Sequence, residues 1–289
     1  MEATKEPAHG VGAYGLRLTG LAGLEPFLVP APASWTPLRL ACRAARVTLT
    51  AERVGLRRAE LLTATGASIR IDLDRSGAVF TAPIRPTLDE IVHPYLASVA
   101  AVTAFWRGSE SFHAAAVAGR TGAWALAGER EAGKSSTLAS LAARGHEVVS
   151  DDMLVLSGTH ACAGPRSIDL RPETARALGI GVELAKTGTR ERWRVQVGHV
   201  EPELPLRGWI FLEWDTSLEL TRLRTSETLQ RLLPQRGIRL PPPRPAALLE
   251  LAGLPGLLLR RPHDLASGVP ERSPTISPMI TPAFAEIAG

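Results

Sequence analysis

Gly128-Glu129-Arg130-Glu131-Ala132-Gly133-Lys134-Ser135 fits the pattern G-x-x-x-x-G-K-[ST] of a phosphate-binding loop. Its flanks supply the context that the motif requires. Ala123-Trp124-Ala125-Leu126-Ala127 is a short apolar run that reads as a buried strand. Over residues 134–144, Leu138, Leu141 and Ala142 recur at helical spacing, and Gly145 suits a C-terminal cap. Strand, glycine loop, helix is the expected order. Lysine is scarce here (Lys5, Lys134 and Lys186), which makes a chance Gly-Lys-Ser match rarer than in a lysine-rich chain. The competing reading is a plain glycine turn before a helix, with Lys134 solvated.

Each loop residue has a chemical reason. Gly128 and Gly133 let backbone N–H groups turn inward around an anion. The helix N-terminus adds partial positive charge at the same place. Lys134 reaches the outer phosphates and Ser135 holds Mg²⁺. Glu129, Arg130, Glu131, Ala132 and Ser136 complete the candidate nucleotide-binding segment. Two acids inside such a loop repel phosphate unless they point outward.

A second feature follows the loop. His146-Glu147-Val148-Val149-Ser150 reads as a strand ending at Asp151-Asp152, and Met153-Leu154-Val155-Leu156 continues the apolar run. Strands 123–127 and 146–150, joined by helix 134–144, make a right-handed βαβ unit whose strand ends share one sheet edge. That edge carries the loop, so two carboxylates are expected beside it. They suit Mg²⁺ and proton acceptance from a hydroxyl. Elsewhere, Asp-Asp is an ordinary turn.

A third feature comes from hairpin register. Residues 113–118 and 123–127 flank Gly119-Arg120-Thr121-Gly122, a hairpin turn signal. A turn centred between Arg120 and Thr121 sets His113 opposite Gly128, beside the phosphates.

Together these residues resemble one family. Phe112-His113 and the alanines after it, the phosphate loop, and Arg144-Gly145-His146 through Asp151-Asp152 look like the catalytic domain of HPr kinase/phosphorylase and its HPr-kinase-like relatives. The resemblance is dense over residues 108–157. It thins over Ala163 to Glu173, a stretch similar to relatives from bacterial peptide-tailoring gene clusters. It implies an α/β fold: a P-loop catalytic domain of HPr-kinase/PEP-carboxykinase-like type with a smaller β-rich N-terminal domain. It also implies an ATP-dependent serine/threonine kinase in which the aspartate pair supplies base and metal contact. Relatives of this type often form rings, so a homo-oligomer is a further expectation. The chain departs from the bifunctional enzyme in three ways. It lacks that enzyme's mid-loop glycine, it has Ser136 where an acidic residue follows the loop serine, and it has no Glu-x-Arg-Gly-x-Gly segment, Asp169-Leu170-Arg171-Pro172 being the nearest analogue. The resemblance therefore does not extend to phosphorylase activity or to HPr as substrate.

Composition bounds the rest. At 289 residues the chain forms one large domain or two smaller ones. A formal charge of +4, carried almost wholly by arginine, does not imply nucleic acid as partner. The arginines Arg39, Arg43, Arg46, Arg53, Arg57 and Arg58 read as a solvated face. Cys42 and Cys162 have no metal-ligand spacing and make no disulfide framework. The N-terminus lacks a signal peptide's apolar core and no stretch is long enough to span a bilayer, so the expectation is a cytoplasmic protein without a membrane partner.

The expected organisation is a β-rich N-terminal domain to residue 88, a connecting helix over 89–107, the P-loop domain over 108–262 and a Pro/Ser-rich tail over 263–289. Strands are predicted at Tyr14–Leu18, Leu38–Ala41, Arg46–Leu49, Ser68–Leu73, Ala78–Phe80, Trp209–Trp214 and Gly256–Arg260. Helices are predicted over Asp89–Trp106, with Pro94 as a kink or first-turn residue, over Thr225–Leu233 and over Pro245–Leu251. Residues 183–194 read as an irregular charged loop or lid.

The function expected is phosphoryl transfer from ATP, with Mg²⁺, to a hydroxyl of a peptide or protein. Ser135 and one aspartate hold the metal, Asp151 being the choice; the other, Asp152, is the base. The sequence alone does not separate the two. His113 touches a phosphate or orients an aspartate. Arg166 and Arg171 are candidates for charge stabilisation, with Asp169 beside them. The alternatives are an ATP-binding regulatory or partner-presenting protein without turnover, and a small-molecule kinase.

Overall fold

A computed structural model describes residues 10–187 and 190–262. The N-terminal strands are β1 (Gly10–Ala13), β2 (Leu16–Thr19), β3 (Val29–Ala31), β4 (Thr36–Ala44), β5 (Arg53–Val54), β6 (Arg58–Leu62), β7 (Ser68–Asp72) and β8 (Gly77–Ala82). They form one sheet in the order β3-β1-β2-β4-β8-β7-β6-β5. Alternation sets its buried face: Leu38 and Leu40 of β4, Ile69 and Ile71 of β7, and Ala78 and Phe80 of β8 all point inward. The strand expected at Arg46–Leu49 is not formed; β4 ends at Ala44 and residues 45–50 run on without regular structure.

The connecting helix begins at α1 (Leu88–Glu90), where the Thr87 and Glu90 side chains make a capping box. It is broken at His93, whose φ of −149° and ψ of 125° are extended, ahead of a cis peptide to Pro94. Proline disfavours helical backbone in the preceding residue, and the chain takes the kink at that point. Helix α2 (Leu96–Trp106) then runs on, buried from Leu96 to Ala104 except at half-buried Ser98.

The second sheet is built from β9 (Glu110–Phe112), β10 (Ala115–Ala118), β11 (Ala123–Ala127), β12 (Val148–Ser150), β13 (Leu154–Ser157), β14 (His160–Cys162), β18 (Glu203–Trp214), β19 (Glu219–Leu223) and β20 (Gly256–Arg261). Its main path is β12-β10-β11-β18-β14-β13-β9, and β20 joins β18 to β19. Between these lie α3 (Lys134–Ala142), α4 (Pro172–Leu178), α5 (Thr225–Leu232) and α6 (Pro245–Gly253). A third, three-stranded sheet orders β15 (Ser167–Leu170), β17 (Arg190–Gln196) and β16 (Val182–Thr187). The segment read as an irregular lid is therefore mostly this hairpin, except for its tip at 188–189, which lies outside the described residues. The tail over 263–289 lies outside them too. The chain is a mixed α/β protein with several sheets, and no helix among the described residues is long and apolar enough to cross a membrane.

Strand β11 is buried on both faces. Ala123, Ala125 and Ala127 enter a cluster that runs from Ala13 of the N-terminal sheet through α2 to Leu258, while Trp124 and Leu126 enter another with Leu138 and Leu141 of α3. The first cluster closes over Trp209, fully buried, its ring edge-on to Phe112 at 5.0 Å and its Nε1 donating to Leu251 O at 2.9 Å. Trp209→Ala is expected to cost about 3–5 kcal/mol, the scale of a buried aromatic lost to a cavity. Denaturant midpoints would measure it, and a loss under about 1 kcal/mol would mean that the site collapses around the gap.

Candidate active site

Strands β10 and β11 pair in the register expected from the turn, with Ala115 facing Leu126 and Ala118 facing Ala123. The βαβ unit is modified: β10 lies between β11 and β12, antiparallel to both. Strands β11 and β12 therefore run parallel without touching, and their C-terminal ends share one edge. The loop of residues 128–133 leaves β11 there and Asp151-Asp152 leaves β12. The apolar run after the aspartates does not continue β12. The backbone reverses at Asp152, whose φ is +64°, and β13 departs to pair with β9 and β14.

The loop has the conformation that its glycines permit. Gly128 has a φ of +151°, and a Cβ there would come within 2.8 Å of Leu212 O. Lys134 is buried and its Nζ donates to Gly128 O at 2.8 Å and Glu129 O at 3.0 Å. Burial pushes its pKa down, against the pull of Asp152 and Asp151. Ser135 Oγ donates to Asp151 Oδ1 at 2.9 Å. The Glu131 carboxylate is paired with Arg171, which offsets the negative charge that it brings to the loop. Glu129, Arg130, Ser136 and Arg171 line the same cleft, while Ala132 is buried beneath it.

The two aspartates have different surroundings. Asp151 is buried, and its Oδ2 accepts from the Asp169 N–H at 3.3 Å. Burial first, and Asp152 second, push its pKa up to about 6, opposed by the Ser135 hydrogen bond. Asp152 is more open and sits between two imidazoles: His113 Nδ1 lies 3.3 Å from Oδ1, and His93 Nδ1 lies 3.7 Å from Oδ2. Burial lowers the His113 pKa more than Asp152 raises it. Of the remaining candidates, Asp169 is held by Arg194, whose Nε and Nη2 reach its two oxygens at 2.7 and 2.8 Å while Nη1 reaches Asp89 at 2.7 Å. Arg166 is not brought to the cleft; its backbone N–H donates to Phe27 O.

Several residues at the site carry no motif. His93 arrives through the helix kink. Tyr14, from the turn between β1 and β2, is buried behind the aspartates with its hydroxyl 3.4 Å from Asp151 O. Burial raises its phenol pKa well above the ordinary value, so it stays protonated. The cleft encloses about 1060 Å³ and extends past the loop to the Thr63–Thr65 turn of the N-terminal sheet and to Pro234–Gly237.

Asp151 gives a signed prediction. Its folded pKa lies above that of an unfolded aspartate, so ionising it costs stability. The native state holds the extra proton between about pH 4 and 6; stability falls as pH rises through that window and is level above it. Asp151→Asn is expected to raise the melting temperature of the protein near pH 7.5. A lower melting temperature at that pH would show that the carboxylate stabilises the fold instead.

No protein-family model matches the chain, and no curated protein matches it. Among solved structures it is similar to the Hpr(Ser) kinase/phosphatase from Coxiella burnetii, with 15% identity, 62% of this chain and 99% of that chain covered, and a TM-score of 0.32. A likeness of that extent assigns neither activity nor substrate to this chain.

Proposed function

We propose that the chain transfers the γ-phosphoryl group of ATP to a serine or threonine hydroxyl of a peptide or protein. The observation that carries this reading is the hydrogen bond from Ser135 to Asp151, which ties the loop to a buried carboxylate with Asp152 beside it. Phosphoryl transfer asks mainly for positioning and charge stabilisation. Lys134 and the loop amides would hold the β- and γ-phosphates, and Arg171 would add charge at the rim. Asp152 would take the proton as the acceptor oxygen bonds to the γ-phosphorus and the bond to ADP breaks. His113 and His93 would hold Asp152 in place.

The residues present fit Mg²⁺. Ser135 and Asp151 offer hard oxygen donors, and Asp151 is a buried carboxylate beside a like charge. No group of three or more His, Cys, Asp or Glu ligands occurs among the described residues. Mg²⁺ usually completes its shell with water and substrate phosphates rather than a protein cage. When bound it would neutralise charge on the phosphates.

The resemblance over residues 108–157 favours a peptide or protein acceptor. The cleft volume of about 1060 Å³ lies at the upper end of the usual range for a ligand site, about 300–1,000 Å³. A second reading, ATP binding without turnover, draws on the Arg171–Glu131 pair at the loop. Incubation of labelled ATP and Mg²⁺ with a peptide-rich extract of the source cells decides between them, with Asp152→Asn alongside. A labelled peptide that disappears with the variant supports the kinase. Tight ATP binding with no label overturns it in favour of the second reading.

A further inference from the structure

Strands β11, β18 and β20 run parallel, so their C-terminal ends share an edge. The loop leaves β11, Trp214 ends β18 and Arg261 ends β20. Arg261 is only 2% exposed, with its guanidinium 4.2 Å from the centroid of the Trp214 ring. Its Nη2 donates to Ala132 O at 2.8 Å and Thr137 Oγ1 at 3.2 Å. Trp214 Nε1 donates to Glu131 O at 2.9 Å. Two side chains from two strands thus grip two consecutive carbonyls of the phosphate loop.

Arg261 is expensive where it stands. Among the described residues its Nε and Nη1 have no hydrogen-bond partner and no carboxylate pairs with it. Burial lowers its pKa to about 10, which leaves it charged at neutral pH. A buried unpaired cation detracts from stability. No partner among the described residues accounts for it.

The grip has a geometric consequence. In a trans peptide the C=O and N–H point in opposite directions. Holding Ala132 O fixes the opposite direction of the Gly133 N–H, at the N-terminus of α3, where a helix receives an anion. Gly133, at φ +82°, cannot carry a side chain here: a Cβ would lie 2.6 Å from Arg261 Nη2 and 3.0 Å from the Trp214 ring. Glu131, at φ +70°, sits in a conformation that side-chain-bearing residues rarely adopt. It is held at both ends, by Arg171 on its carboxylate and Trp214 on its carbonyl.

We propose that Trp214 and Arg261 are positioning residues that clamp the phosphate loop in its anion-binding shape, and that a polyphosphate in the loop compensates the unpaired Arg261 charge. This rests on the nucleotide-binding reading above. The clamp acts on the phosphate chain and not on the base, so ATP and inorganic tripolyphosphate should feel its loss equally.

Calorimetric titration of the full chain with Mg²⁺-ATP and Mg²⁺-tripolyphosphate, paired with ligand-free melting curves, tests this. Arg261→Met is expected to weaken both ligands by about tenfold or more, the scale of a hydrogen bond from a charged donor. Its ligand-free melting temperature should not fall in step, because the unpaired charge leaves with the side chain. Arg261→Lys, which keeps a charge and a donor, should recover part of the affinity. Trp214→Phe keeps a ring over the guanidinium and loses only the donor to Glu131; a loss of about threefold to tenfold is expected. Undiminished affinity in folded Arg261→Met overturns the clamp. So does an affinity loss that follows melting temperature and is not recovered by lysine. If Arg261→Met does not fold, wild-type affinity in Trp214→Phe overturns it. Wild-type protein that binds neither ligand overturns the nucleotide reading and the clamp together; wild-type binding with indifferent variants overturns the clamp alone.

Discussion

Lys134→Ala is expected to lower phosphoryl transfer by about 10²-fold or more, the scale seen when one charge-stabilising donor is removed from a reaction centre. The ammonium is buried and donates to Gly128 O and Glu129 O, both within its own loop. Phosphate oxygens would compete for those donors, and a charge already in place costs no reorganisation when the transferring group develops its own. Burial disfavours the ammonium and the two aspartates favour it, so it stays ready without being locked into a direct ion pair. The effect on folding should be small by comparison, because removing a buried charge offsets part of the hydrogen bonds lost. Turnover measured with saturating acceptor, beside a melting curve, separates the two. A folded variant with unchanged turnover would sink the phosphoryl-transfer reading at its root.

What the sequence shows and what it hides follow from the range of the interactions involved. The register of β10 against β11 is local and follows from a four-residue turn, but the pairing ends at Ala115 and Leu126; His113 lies beyond it, at the bend between β9 and β10, and meets the site through Asp152. The insertion of β10 between β11 and β12 depends on pairing across the whole βαβ unit, and nothing in residues 113–150 announces it. Arg194 misleads for a different reason. A run of alternating charge reads as solvated, yet this arginine is 5% exposed, fixed between Asp169 and Asp89. Its hairpin presents apolar Trp193 and Val195 to the core beside it. His93 belongs to the site only because the helix breaks before Pro94; the kink is legible in the proline, but its destination is not. Arg261 and Trp214 reach the loop from strands some 80 and 130 residues downstream, the separations at which Trp214 meets Glu131 and Arg261 meets Ala132. No spacing rule spans such distances.

Asp152→Asn should abolish transfer while leaving nucleotide binding near the wild-type level. Asp152 has a φ of +64°, a region that asparagine tolerates among the best of the side-chain-bearing residues, so the turn that carries β12 into β13 should survive. The amide oxygen can still accept from one of the flanking imidazoles, which keeps His113 and His93 close to their places. What is lost is the ability to take a proton from the acceptor hydroxyl, a loss of about 10²–10⁴-fold for a positioned general base. Lys134, Ser135 and Asp151 are untouched, and they are the groups assigned to the phosphates and the metal. The informative result is therefore a split: ATP affinity held, transfer gone. If transfer instead proceeds normally, Asp152 is not the base, and Asp151 becomes the carboxylate to test. If affinity falls together with transfer, Asp152 contributes to holding the nucleotide or its metal, and the division of labour between the two aspartates must be redrawn.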